Sequence, residues 1–96
     1  MQIDVRGEMC PYPAMKAREA LKKLPAGERL ELITDHAPAL STVPWEGAKL
    51  GFLSEIAPGG PGEWVITLEK ASAPIDQRNV LTAIAARAAE LAPDEA

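Results

Sequence analysis

The apolar residues of this chain switch repeatedly between a period of two and a period near 3.6, and that alternation most narrows what the chain can fold into. Gln2-Ile3-Asp4-Val5 alternates as a half-buried strand does. Further on, Ala14, Ala17, Leu21 and Leu24 recur at helical spacing, with Lys16, Arg18, Glu19, Lys22 and Lys23 on the other faces. This spacing predicts an amphipathic helix, which Pro25-Ala26-Gly27 ends. Arg29 to Thr34 reads as a second strand, and Asp35 stands where that strand ends and the next helix begins. Ala39, Leu40, Val43, Ala48 and Leu50 predict a second helix, which Pro44 should break or kink. Phe52 to Ala57 and Glu63 to Lys70 are strand-like and flank Pro58-Gly59-Gly60-Pro61-Gly62, a run of turn formers expected to close a hairpin. On the last strand Trp64, Ile66 and Leu68 share one face. A third helix is expected to open at Ser72-Ala73-Pro74, with Leu81, Ile84, Ala88 and Leu91 as its apolar stripe and a frayed tail from Ala92 to Ala96.

The element order predicts an α/β two-layer sandwich (α+β), a mixed four-stranded sheet in the order β-α-β-α-β-β with two helices on one face and an added C-terminal helix. A length of 96 residues leaves room for one domain. Residues 1–71 form that domain in this reading, and residues 72–96 are a helical extension packed on it. The extension covers the second sheet face or makes a dimer contact; the sequence leaves both open, and with them the oligomeric state. With Tyr12, Trp45, Phe52 and Trp64 as its aromatic residues, the chain must build a mostly aliphatic core.

Composition removes several function classes. No apolar run approaches the roughly 20 residues that span a bilayer. The N-terminal stretch lacks the basic-then-apolar layout of a signal peptide, so the expected location is the cytoplasm, away from the membrane. One cysteine, Cys10, allows no intramolecular disulfide, and Pro13 stands where a CxxC motif would need its second thiol. One histidine, His36, leaves no Cys/His zinc cluster, and no metal or organic cofactor is implied. A formal charge of −4 speaks against strong direct binding of nucleic-acid phosphates. That charge is uneven. Residues 1–24 carry five basic side chains (Arg6, Lys16, Arg18, Lys22, Lys23) against three acidic ones (Asp4, Glu8, Glu19), a net +2 that leaves −6 for the rest. The basic excess around the cysteine is either a solvated helix face or a means of steering an acidic protein partner to Cys10, with Arg6, Lys16 and Arg18 as docking residues.

The chemistry concentrates in Cys10-Pro11-Tyr12-Pro13. A proline at the first helical position suits a helix start, which puts Cys10 at or beside the N-cap. The first-turn N–H groups and the positive end of the helix dipole then favour the thiolate, and cysteines so placed titrate at roughly 3.5–7.5 against about 8.5 for a free thiol. Pro11 and Pro13 bring no N–H, which leaves those of Tyr12 and Ala14 near the sulfur. Because a residue before proline resists the α region, Tyr12 is a candidate for a non-helical conformation, with the regular helix starting at Pro13. The turn is stiff in either case. A free cysteine is commonly a small apolar core residue; flanking prolines at a loop-to-helix junction argue for exposure instead. His36, after the next strand, is a weaker candidate for a neighbour of the thiol.

The run Asp4-Val5-Arg6-Gly7-Glu8-Met9-Cys10-Pro11-Tyr12-Pro13, followed by Lys16 and Leu21, resembles the TusA-type (SirA-like) sulfur-carrier family, marked by a short strand, a glycine and a Cys-Pro-x-Pro helix start. The likeness continues through Pro25-Ala26-Gly27-Glu28, Leu30-Glu31-Leu32-Ile33, Asp35 and Val43-Pro44-Trp45, over about residues 3–70. It implies that Cys10 accepts sulfane sulfur as a persulfide from a cysteine desulfurase or rhodanese-like donor. The sulfur then passes to an acceptor protein of a sulfur relay, toward tRNA thiolation, molybdenum-cofactor maturation or sulfur oxidation. It also implies site-shaping roles for Pro11, Tyr12, Pro13 and Asp35. The chain departs from the family at Asp35-His36-Ala37-Pro38, where Asp-Asp-Pro is frequent, at Glu46-Gly47, where some members have a cysteine, and in the helix beyond Pro74.

Two other readings remain: an interaction module in which Cys10 is incidental, and a thiol redox sensor that would need a resolving thiol in trans. Replacing Cys10 by serine separates the first from a carrier, since a binding module keeps its function in the variant.

Overall fold

The computed structural model describes residues 1–9, 11–25, 27–71 and 77–91, the last group without the side chains of 77 and 88–91. Cys10 itself, Ala26 of the first helix stop, the Ser72-Ala73-Pro74 helix start, the Ala88 and Leu91 stripe positions and the tail after Leu91 lie outside the described residues.

The elements run β1 (Gln2–Asp4), α1 (Tyr12–Lys23), β2 (Arg29–Thr34), α2 (Ala39–Lys49), β3 (Phe52–Pro58), β4 (Trp64–Lys70) and α3 (Gln77–Leu91). The sheet order is β1-β2-β4-β3, so the predicted mixed four-stranded sheet of an α+β fold is present. β1 and β2 are parallel, with Ile3 opposite Leu32, and the crossover between them is α1. β2 and β3 each pair antiparallel with β4.

The period-two pattern decides which face of the sheet is dry. Leu30, Leu32 and Thr34 alternate inward along β2, and the register sets Leu30 against Leu68 and Leu32 against Ile66. All four of these aliphatic side chains are fully buried, each worth about 1.5–3 kcal/mol in apolar burial. Ile56 of β3 continues the row beyond Ile66. Ala14, Ala17 and Leu21 of α1 and Leu40, Val43 and Ala48 of α2 close over this surface in one cluster, and Val80 and Ile84 of α3 join it. The core is aliphatic, with Phe52 as its single buried aromatic ring among the described residues.

α3 packs against α2 and β3 on the side that already holds α1 and α2. It therefore does not cover the opposite sheet face, where Arg29, Glu31, Ile33, Leu53, Glu55, Val65, Thr67 and Glu69 point, and no described helix covers it. Its apolar contact is made by Val80 and Ile84, whereas Leu81, expected in the stripe, is only half-buried. Arg87 Nε reaches the Ile56 carbonyl of the edge strand β3 at 3.4 Å.

The break expected at Pro44 is absent, and the start of α1 is settled. α2 runs unbroken through Pro44, which is fully buried; tertiary packing holds the turn that the missing N–H would otherwise open. α1 begins at Tyr12, between the starts at Pro11 and Pro13 that the sequence left open, with Pro11 as its N-cap and so with Cys10 next to the N-cap in sequence. The first helix ends as expected: Leu24 is extended, as a residue before proline should be, and carries the chain out of α1.

Gly47 lets α2 lie directly on the sheet. A Cβ at that position would stand 2.5 Å from Leu68 Cδ2, in the middle of the core. Gly47→Ala is therefore expected to destabilise the fold by about 1–3 kcal/mol through overpacking, against any gain in helix propensity. Urea unfolding of the two proteins, read as a shift in midpoint at constant slope, checks this.

Candidate functional site

The segment that carries position 10 is built from the ends of the two parallel strands. The Val5 N–H donates to the Ile33 carbonyl at 2.9 Å, one step past β1, and Val5 is fully buried. The Glu8 N–H then reaches back to the Val5 carbonyl at 3.1 Å. Gly7 has φ +83°, which only glycine adopts readily at the third position of such a turn. Asp35, directly after β2, accepts the Gly7 N–H on Oδ1 at 2.9 Å. Thus the residue following one parallel strand holds the turn following the other. His36 comes next, half-buried, its N–H donating to Thr34 Oγ1 at 3.1 Å.

Past position 10 the chain enters α1. The Tyr12 N–H donates to the Met9 carbonyl at 2.9 Å, and the Met15 N–H to the Pro11 carbonyl at 3.1 Å. The Tyr12 N–H, expected beside the sulfur, is thus engaged with Met9, and the chain on both sides of Cys10 is tied together. Pro13 is fully buried while Pro11 and Tyr12 are exposed. The Pro-x-Pro run therefore anchors the helix start with its second ring and leaves the first at the surface.

Around this segment lies an apolar surface that sequence periodicity did not flag. Met9, Tyr12 and Met15 are 65%, 57% and 46% exposed, a large apolar display for one helix start. Their three-residue spacing was the available signal. Two grooves flank it. One is lined by Ile3, Val5, Tyr12, Met15 and Lys16 on the β1 side. The other is lined by Pro11, Ala14, Ser41, Thr42, Trp45, Glu46 and Leu81, between α1, α2 and α3.

Each of the three cations expected to dock a partner, Arg6, Lys16 and Arg18, has an acid beside it. Arg6 grips Asp4 through Nε and Nη2, the latter at 2.7 Å, and Nη1 stands 3.5 Å from Glu63. Lys16 pairs with Glu8 at 2.5 Å, and Arg18 stands 3.9 Å from Glu46, which also holds Lys49 at 3.1 Å. These pairs sit at the surface, where each is worth little to stability. Asp4 and Glu8 already belong to the +2 of residues 1–24, and Glu63 and Glu46 bring negative charge to it from outside that stretch.

The hydrogen bonds from the Arg6 side chain and backbone pull the Asp4 carboxyl from its ordinary 3.8 down to about 2. Because the folded value is the lower one, the pair favours the fold above the ordinary carboxylate range, and the effect fades as pH falls from about 4 through about 2. Carboxyl NMR should follow Asp4 titrating near that lower value, and Arg6→Ala should return it toward 3.8. Asp35→Ala should free the Gly7 N–H, costing about 1 kcal/mol and speeding its hydrogen exchange, whereas Asp35→Asn keeps an acceptor and most of the protection.

The family model described as "Sulfurtransferase TusA" matches residues 1–70. A Thermotoga maritima protein named "Putative sulfur carrier protein" is 38% identical over 68 residues, covering 70% of this chain and 86% of its own length. The Escherichia coli K12 protein YedF, named likewise, is 34% identical over 61 residues, covering 62% of this chain and 79% of its own length. The crystal structure of a SirA-like protein from Desulfitobacterium hafniense superposes with a TM-score of 0.64 at 24% identity, over 70% of this chain and 92% of that one. That likeness supports the fold.

Proposed function

This chain belongs to the TusA sulfurtransferase family, and on that premise we propose that it is a sulfur carrier that holds sulfane sulfur as a persulfide on Cys10. The observation that carries the reading is where the chain's one cysteine falls in sequence. It directly precedes the Pro11 cap of α1, between the exposed Met9 and Tyr12.

In the proposed chemistry the Cys10 thiolate attacks the outer sulfur of a donor persulfide. One S–S bond forms on Cys10, the donor's S–S bond breaks, and the donor cysteine leaves as a thiolate. An acceptor thiolate then attacks the outer sulfur of the Cys10 persulfide and releases the Cys10 thiolate. Each step exchanges one S–S bond for another, so no external oxidant or reductant is needed. The N-terminal end of α1 supplies the positive partial charge that favours Cys10 as attacking and as leaving thiolate.

Pro11, Tyr12, Pro13 and Asp35 shape the site in this reading, Asp35 through its bond to the Gly7 turn. The donor is a cysteine desulfurase or a rhodanese-like protein, and the acceptor belongs to a sulfur-relay or sulfur-oxidation pathway. Arg6, Lys16 and Arg18 are proposed to meet these partners by exchanging their intramolecular acids for acids of the partner. The proposed setting is the cytoplasm; among the described residues no helix is long and apolar enough to cross a membrane.

Intact-mass analysis tests the proposal. Reduced protein incubated with a cysteine desulfurase and cysteine, or with a rhodanese and thiosulfate, should gain one sulfur atom that reductant removes, and Cys10→Ser should gain none. Folded protein with a titratable thiol that gains no sulfur from either donor would overturn it.

A further inference from the structure

α3 lies beyond the residues matched by the family, yet it reaches the surroundings of position 10. Leu81, half-buried, lines one groove together with Pro11, Ala14, Ser41, Thr42 and Trp45. The groove holds about 380 Å³, room for one large side chain. Among its described lining residues only Glu46 is charged, and Glu46 stands between Arg18 and Lys49. The rest of the lining is uncharged and mostly apolar, which suits an apolar side chain.

Sulfur transfer between two cysteines requires the two proteins to touch at the sulfur, so a partner that reaches Cys10 must also cover its neighbour Pro11. Pro11 is one of the residues that line the groove, so that partner comes against its edge. We propose that α3 is a specificity element: Leu81, with Trp45 and Pro11, receives an uncharged apolar side chain carried next to the reactive cysteine of the protein that exchanges sulfur with Cys10. The proposal rests on the carrier reading and adds to it the chemistry that selects the partner. In this role Leu81 is a specificity residue; it does not touch the transferred sulfur.

The test compares Leu81→Glu with Ala83→Glu, an equal charge on an exposed α3 position on the far side of the helix. Each protein is sulfurated by whichever protein donor loads the wild type, and separately by glutathione persulfide, a donor too small to need the groove. Leu81→Glu should slow loading by the protein donor at least about tenfold through its half-saturation concentration, the scale of one lost apolar anchor. Loading by glutathione persulfide should be unchanged, and Ala83→Glu should match the wild type with both donors. Equal loading of Leu81→Glu and wild type by the protein donor would overturn the proposal. So would an equal loss with both donors, which would indicate a disturbed thiol. Wild type that accepts sulfur from neither donor would instead remove the carrier reading, and this proposal with it.

Discussion

The contact on which the rest of the molecule depends is the pairing of β2 with β4, where Leu30 faces Leu68 and Leu32 faces Ile66. These four buried side chains form the surface on which α1 and α2 rest. β1 is a three-residue strand with one neighbour, too short to persist alone, and it is held by parallel pairing with β2. Parallel pairing brings the ends of β1 and β2 to the same side of the sheet. That is why Asp35, just past β2, meets Gly7, just past β1, at 2.9 Å. The position of the cysteine-bearing segment is thus a consequence of core packing two residues away. In open α/β sheets the ends of parallel strands are the usual place for ligand chemistry, for this geometric reason.

Electrostatics at the site works differently from what charge counting implies. The basic excess of the first 24 residues is real in the sequence, yet Arg6, Lys16 and Arg18 each stand beside a carboxylate in the folded chain. What distinguishes the surface near position 10 is its apolar display, Met9, Tyr12 and Met15 on one side and the Pro11-Trp45-Leu81 groove on the other. Exposed pairs of this kind adjust approach and orientation more than strength, whereas desolvated apolar contacts hold a complex together.

The fold was legible because each element carried its own period. Leu30-Glu31-Leu32 alternates and Ala14, Ala17 and Leu21 recur at helical spacing, and both patterns match the observed burial. Local rules misled where tertiary contacts outweighed them. Pro44 should have broken or kinked α2, yet the helix continues through it, with Pro44 fully buried. Tyr12 should have resisted helix before Pro13, but its N–H is held by the Met9 carbonyl and the helix starts there. Val80 rather than Leu81 faces the core, since the stripe of α3 is set by how that helix leans on α2 and β3.

By itself the sequence determined the order of the elements, the aliphatic character of the core, the place of the single thiol ahead of α1 and the family likeness. All of these depend on local periodicity or on residues adjacent in the chain. Only the tertiary structure decided the partner of Asp35, the approach of Glu63 to Arg6 and of Glu46 to Arg18, the side of the sheet on which α3 packs, and the groove shared by Pro11 and Leu81. The physical reason is common to all four. Each joins residues far apart in sequence through contacts that exist only once β2 and β4 have paired and the helices have closed over them.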